Sequence, residues 1–429
     1  MRDVYIVDGT RTPFLKAKGK PGDFLASDLA VQTGKQLLLK LSISPDLINE
    51  VIVGCAMPDP NEANIARVIA LRLGLPNNIP GFTVMRNCAS GLQAIDSAYQ
   101  DIVTGRHDIV LAGGADAMSR TPLLFNSKMV NLFAKLNARK GILDQLVTMF
   151  SFRPSFLKPI IALERGLHDP LVGMDMGQTA EEVAYRFNIS RREMDEFAVQ
   201  SHHRLAEAID KNLLNEVTPI YDKKGEIFKS DDGLRRDSKV EKLAGLKPYF
   251  DKKFGNVTPA NSSQITDGAA LLLLASGEAV QRYNLKPLAK IKDINWAALD
   301  PRVMGLGPVY ASTPLLTRNN VKFDDVDYWE INEAFAAQVL GCVAAWNDDE
   351  FCKKELGLNS VVGKMDANKL NVNGGAISIG HPIGASGARV TLRAANLLKN
   401  NSKKYAIASL CIGGGQGGAM LIENISEVK

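Results

Sequence analysis

The strongest constraint on this chain of 429 residues is that it repeats itself. Cys88-Ala89-Ser90-Gly91 and Gly384-Ala385-Ser386-Gly387 set the same Ala-Ser-Gly at the start of a helix-length apolar pattern. Each pattern leads to an apolar run ending in glycines, Val110-Leu111-Ala112-Gly113-Gly114 in one case and Ser409-Leu410-Cys411-Ile412-Gly413-Gly414 in the other. Around these landmarks, β-rich runs alternate with helical spacing in one shared order. The first series predicts strand 4–7, helix 27–41, strand 51–53, helix 64–73, strand 82–85, helix 91–104 and strand 108–112. The second predicts strand 289–294, helix 311–319, strand 327–331, helix 334–346, strand 371–373, helix 385–399 and strand 405–410. Such alternation implies a layered α/β fold made of two similar halves.

The repeat breaks in one place. Gly414 to Gly418 turns directly into an expected strand over 419–423, whereas the matching strand of the first half, 269–275, comes only after Ala115 to Asp267. A domain-sized insertion therefore occupies one hairpin, and segments inserted at strand ends tend to carry substrate contacts. The expected division is 1–119 with 264–284 as the first half, 120–263 as the inserted loop domain, and 285–429 as the second half. Within the insertion, 126–165 interleaves Met129, Leu132, Phe133, Leu143, Leu146, Phe150 and Leu157 with Lys128, Lys135, Arg139, Lys140, Arg153, Lys158 and Arg165. Only Asp144 and Glu164 oppose that charge. A basic amphipathic segment can lie on an anionic membrane surface, dock a partner, or pack over a substrate tunnel with its basic face in water.

A net charge of +4 is too diffuse over this length to imply nucleic acid, though it suits anionic small substrates. Cys55, Cys88, Cys342, Cys352 and Cys411 are odd in number and lack CxxC spacing, which argues against a disulfide framework or a zinc ribbon and for a reducing compartment. The chain opens as a strand, Met1 to Gly9, without a charged leader, and holds no uninterrupted run of 18 apolar residues. A cytoplasmic location is the expectation.

Cys88 falls between the strand-like Gly81 to Val84 and a helix whose buried face reads Leu92, Ile95, Ala98, Tyr99, Ile102 and Val103. At a helix N-terminus, unpaired N–H groups and the dipole favour a thiolate, so Cys88 is expected to be a nucleophile with a lowered pKa. A buried small-residue cysteine is the competing reading. His381 lies in the glycine-dense approach Asn373 to Gly384, which the duplication pairs with the Cys88 segment, and is the expected base. Cys411 precedes a glycine run at another strand end, and strand ends in α/β folds gather at one edge. Asn332 at a strand-to-helix junction could bind an oxyanion or simply cap a helix.

The motifs N-C-A-S-G, N-E-A-F-A, G-H-P-I-G-A-S-G and C-I-G-G-G-Q-G, in this order over nearly the whole length, resemble those of thiolases, the acyl-CoA C-acyltransferases. The resemblance implies a five-layered αβαβα fold from two duplicated halves, with a loop domain in the first. It implies that Cys88 is acylated, that His381 activates it, and that Cys411 serves as acid and base. Asn332, holding a water, and His381 would form one oxyanion hole, and the backbone N–H groups of Cys88 and Gly413 a second. Ser263, in Asn261-Ser262-Ser263, and Met176, before Gly177, would line the pantetheine arm, and Arg235 or Arg236 would meet coenzyme A phosphates. No metal and no resident cofactor are implied, since coenzyme A is a substrate.

The basic insertion further resembles the thiolase subunit of fatty-acid β-oxidation complexes, the trifunctional-enzyme β type, although such relatives usually read H-E-A-F where this chain has Asn332-Glu333-Ala334-Phe335. That likeness implies thiolysis of 3-ketoacyl-CoA, a homodimer or homotetramer, and a partner α-subunit with hydratase and dehydrogenase activities. A biosynthetic acetoacetyl-CoA thiolase is the alternative. The rivals from other classes are a condensing ketoacyl synthase, an inactive carrier protein and a zinc site of Cys88, His381 and Cys411.

Overall fold

The computed structural model describes residues 2–425, so Met1 and 426–429, the outermost ends of the two expected halves, lie outside the described residues. Strands buried on both faces read as continuous apolar runs, and Thr266–Ser276 and Ile109–Ala117 are buried along their whole length. They belong to one mixed sheet. Its strands run Val326–Ile331, Tyr405–Ile412, Gln416–Glu423, Ala289–Ala298, Val4–Arg11, Thr266–Ser276, Ile109–Ala117, Glu50–Gly54 and Gly81–Val84. The halves join where Val4, Tyr5 and Ile6 pair antiparallel with Ile291, Lys290 and Ala289.

The duplication is visible in detail. Outward from the junction, each half makes two antiparallel pairings and then a parallel one. The register slips at equivalent points, between Ile6 and Asp8 and between Ile291 and Asp293. At each slip the aspartate accepts a hydrogen bond from the next backbone N–H, that of Gly9 or Ile294.

Because successive strand residues face opposite ways, the two faces can be assigned separately. Leu271, Leu273 and Leu111 pack outward with the helices Ala26–Leu41 and Ile65–Arg72. Leu272, Leu274 and Ala112 pack inward with Ser90–Val103 and Ile383–Asn401. In the second half, Met420 and Ile422 face the same two central helices, while Ala419 and Leu421 face Gly307–Arg318 and Ala336–Trp346. Two helix layers outside, the two halves of the sheet and one central helix layer make the expected five. Each fully buried leucine contributes roughly 1.5–3 kcal/mol to holding these layers together.

The central helices touch through the repeated glycines. A Cβ on Gly91 would meet the Gly384 carbonyl oxygen, and one on Gly387 would meet the Leu92 backbone nitrogen. Absence of a side chain permits this approach, which sets the two helix starts side by side.

The strand expected over 371–373 does not form. A lone bridge between Trp329 and Leu370 stands there instead, and Asn371 turns the chain at φ 45°. Its side-chain amide replaces the ladder: Oδ1 accepts from Ile331 N–H at 2.9 Å and Nδ2 donates to Ile331 C=O at 2.9 Å. Elsewhere the ends shift, as the helix expected from Ala311 starts at Gly307 and the strand expected to stop at Ala112 reaches Ala117.

The insertion leaves and returns at one point, since Ala117 pairs with Asp267 and Ser119 N–H donates to the Asp267 carboxylate at 2.8 Å. Within 126–165 Leu132 alone is buried. Ile142, Leu143, Val147 and Phe150 stand between 71% and 89% exposed. Among the described residues no helix is long and apolar enough to cross a membrane.

Candidate active site

Cys88 occupies a tight loop between the strand Gly81–Val84 and the helix Ser90–Val103. Ser90 closes it, donating from Oγ to Asn87 C=O at 2.7 Å and accepting from Arg86 N–H at 2.9 Å. Asn87 adopts φ 44°, a conformation asparagine tolerates better than most residues, and its Nδ2 donates to Gly413 C=O at 2.9 Å. The nucleophile loop is thereby tied to the turn Gly413-Gly414-Gly415 of the other half, whose last two glycines need φ 89° and 76°. The thiol departs from expectation. Burial pushes the Cys88 thiol above its ordinary value, and the backbone N–H groups of Gly413 and of Cys88 itself work against that without reversing it. Desolvation disfavours the charged form more than these two donors stabilise it, so the resting group is a thiol.

Cys411 ends its strand fully buried, opposite Gly417. Burial raises its thiol well above the ordinary range, and the neighbouring Cys88 and Cys342 act in the same direction. Both sulfurs at the site rest protonated.

His381 is brought in by the turn before the helix Ile383–Asn401. Its N–H donates to Gln264 C=O at 3.0 Å, and Asp116, buried under the loop, accepts from the Gly384 N–H and from the Cys55 thiol. Ser386 Oγ donates to Pro382 C=O at 3.0 Å and lies 2.6 Å from His381 Nδ1. With its one proton so directed, the hydroxyl accepts from Nδ1–H, which leaves Nε2 as the free base. Nε2 faces Asn332 Nδ2 at 3.4 Å, and Asn332 is fully buried. Burial, aided by Arg389, lowers His381 to about 3, so the ring is neutral at physiological pH. Among the described residues no direct hydrogen bond joins Cys88 to His381; such contacts are commonly long before substrate arrives.

A cavity of about 1350 Å³ leads to His381. Met176, Ser263 and Arg235 are among its lining residues. Ser263 N–H donates to Ala334 C=O at 2.9 Å, which joins this wall to the Asn332 loop. Met176 also lies over Gly413, and Gly177 has no side chain because the Phe250 ring fills that space. Arg236 lies outside the cavity lining, with both of its terminal nitrogens on the Asp210 carboxylate at 2.8 Å. Sequence reasoning missed Lys16, His202 and Phe250 as lining residues, and Lys128, Lys158 and Arg165 belong to the lining as well. The basic front of the insertion held that signal.

The family models for the thiolase N-terminal and C-terminal domains match residues 4–278 and 285–424. The chain belongs to the thiolase family. It is an acyltransferase. Among its relatives, the mitochondrial trifunctional enzyme subunit beta of Bos taurus is 35% identical over 424 residues, covering 99% of this chain and 88% of that protein. The 3-oxoadipyl-CoA/3-oxo-5,6-dehydrosuberyl-CoA thiolase of Escherichia coli K12 is 37% identical over 432 residues, covering 99% and 100%. The crystal structure of human mitochondrial 3-ketoacyl-CoA thiolase superposes with a TM-score of 0.85 at 34% identity, covering 99% of both chains. This thiolase thus shares its entire length with enzymes of differing substrate.

Proposed function

We propose that this thiolase cleaves 3-ketoacyl-CoA with coenzyme A, releasing acetyl-CoA and a chain two carbons shorter, in fatty-acid β-oxidation. The observation that carries the reading is the cavity, whose lining includes the exposed basic side chains Lys16, Lys128, Lys158 and Arg235, the apolar Ile161 and Phe335, and His381. Phosphates suit the basic side chains and an alkyl chain the apolar ones.

Cys88 gives its proton to His381 Nε2 as its sulfur attacks the keto carbon. The backbone N–H groups of Cys88 and Gly413 receive the resulting oxyanion. The bond between the keto carbon and its α-carbon then breaks, leaving acyl-Cys88 and the enolate of acetyl-CoA. Nε2–H and the Asn332 amide, through a bound water, hold the enolate oxygen. Cys411, a reluctant acid by its burial, gives its proton to the enolate carbon. The thiolate left behind is a correspondingly strong base and removes the proton of incoming coenzyme A, whose sulfur takes the acyl group from Cys88 while His381 Nε2 returns its proton to the departing Cys88 sulfur. No metal and no resident cofactor enter these steps.

A ladder of 3-ketoacyl-CoA chain lengths, with 3-oxoadipyl-CoA included, tests the assignment through thiolysis rates. Medium and long alkyl chains should be cleaved fastest. Activity confined to acetoacetyl-CoA would establish the biosynthetic reading instead, which the structural likeness to the Bacillus anthracis acetyl-CoA acetyltransferase favours.

The edge strand Gly81–Val84 pairs on one side alone, with Phe82 and Met85 exposed beside it, and is the surface for a homodimer or homotetramer, readable by light scattering. The exposed apolar stripe of 142–150 suits a hydratase and dehydrogenase α-subunit or an anionic membrane surface, and co-purification against vesicle flotation separates the two. Five free cysteines fit a cytoplasmic location, and fractionation decides between it and the mitochondrion named for the mammalian relatives.

A further inference from the structure

Asn332 can face its site in two ways. A side-chain amide has an acceptor at one end and donors at the other, and the two ends occupy almost the same space. A donor-only neighbour removes the ambiguity. Arg389, on the central helix Ile383–Asn401, brings Nη2 to 3.4 Å from Asn332 Oδ1. Guanidinium has nothing with which to accept, so the carbonyl end must lie toward it and the Nδ2 donors toward His381. The other terminal nitrogen, Nη1, is held 3.3 Å from Glu330 Oε2. All of these groups are buried, with Arg389 2% and Glu330 1% exposed.

We propose that Arg389, anchored by Glu330, is a positioning residue that fixes the Asn332 amide with its N–H donors toward the reacting oxygen. This rests on the role given above to Asn332 and His381. The pair is poorly suited to a purely structural task. Arg389 Nε and Glu330 Oε1 have no hydrogen-bond partner among the described residues, and an ion pair left incompletely satisfied in the interior adds little stability over apolar packing. A pair on the same helix, Arg393 with Glu216, likewise leaves Arg393 Nε without a partner among the described residues, but it also binds the Leu213 carbonyl and makes no hydrogen bond to Asn332 or His381. The charged groups around Arg389 are Glu330, Glu333, Arg11 and Asp231. Of these, Glu333 is occupied by Ser201, Asn371 and the Ile377 N–H, and Asp231 by Arg11, so Glu330 is the carboxylate left to hold the guanidinium. The positive charge of Arg389 also opposes protonation of His381 at rest.

A double-mutant cycle on the full chain tests this, with kcat, KM and the thermal midpoint read for each variant. Asn332→Ala should lower kcat about 100-fold, the effect of losing one oxyanion donor, with KM little changed. Arg389→Lys keeps the charge but not the fork, and should lower kcat by a comparable factor. Combined with Asn332→Ala it should lower kcat no further. Glu330→Gln, the milder change, serves if Arg389→Lys fails to fold; it should lower kcat about 10-fold, again with no effect in the Asn332→Ala background. Independent, multiplying losses, or a change confined to the thermal midpoint, would overturn the positioning role. Unchanged kcat in Asn332→Ala alone would instead remove the reading on which it rests.

Discussion

The two Ala-Ser-Gly segments share letters and pack against one another, yet they carry opposite chemistry. In the first, Ser90 uses its hydroxyl to close the loop that carries Cys88. In the second, Ser386 clamps its own loop through Pro382 C=O and at the same time orients the imidazole of His381. Both repeats need the glycine that follows, because each helix meets the other's backbone there. Duplication set two helix starts side by side, with a sulfur just ahead of one and a base just ahead of the other.

Four substitutions probe this comparison, from the largest effect down. Cys88→Ala removes the only group of its half that forms a bond to substrate, so thiolysis should fall by roughly four orders of magnitude or more. Substantial turnover in a stopped assay would end the nucleophile assignment. Gly387→Ala forces a Cβ into the Leu92 backbone; overpacking of this kind costs about 1–3 kcal/mol, and in a chain of this length the thermal midpoint should drop by about 1–3 degrees with loss of activity. An unchanged midpoint would show that the helices need no glycine to meet.

Ser386→Ala and Ser90→Ala should then separate the halves. The first frees His381 Nδ1 and should lower kcat about 10-fold or more with little effect on stability. The second should cost about 1 kcal/mol of stability through the lost loop clamp, with a smaller effect on kcat. Reversed outcomes in calorimetry and kinetics would mean that the serines do not divide the work as described. The smallest contrast is at the cavity, where Arg235→Ala should raise KM for coenzyme A a few-fold and Arg236→Ala should leave it unchanged.

The layered fold and the approach of Cys88 to Cys411 were legible because periodicity and repeated letters record local backbone needs. Three features were not. The stretch Asn371 to Asn373 reads as the third strand of its half, but a side-chain amide took over the ladder, a choice that depends on the facing Ile331. Helix position suggested a thiolate at Cys88, whereas burial by the opposite half outweighs the nearby N–H donors. Adjacent Arg235 and Arg236 carry the same charge, and only the location of Asp210 shows which of them is free for substrate. Each miss concerns a partner distant in sequence.

The central claim, that the first half supplies the nucleophile while Cys411 of the second moves the proton, is tested most directly by mass spectrometry of Cys411→Ser after exposure to a 3-ketoacyl-CoA. The acyl group should be found on Cys88, as in the unsubstituted enzyme, while steady-state turnover is lost. An adduct on another cysteine, or none on Cys88 in either protein, would contradict it.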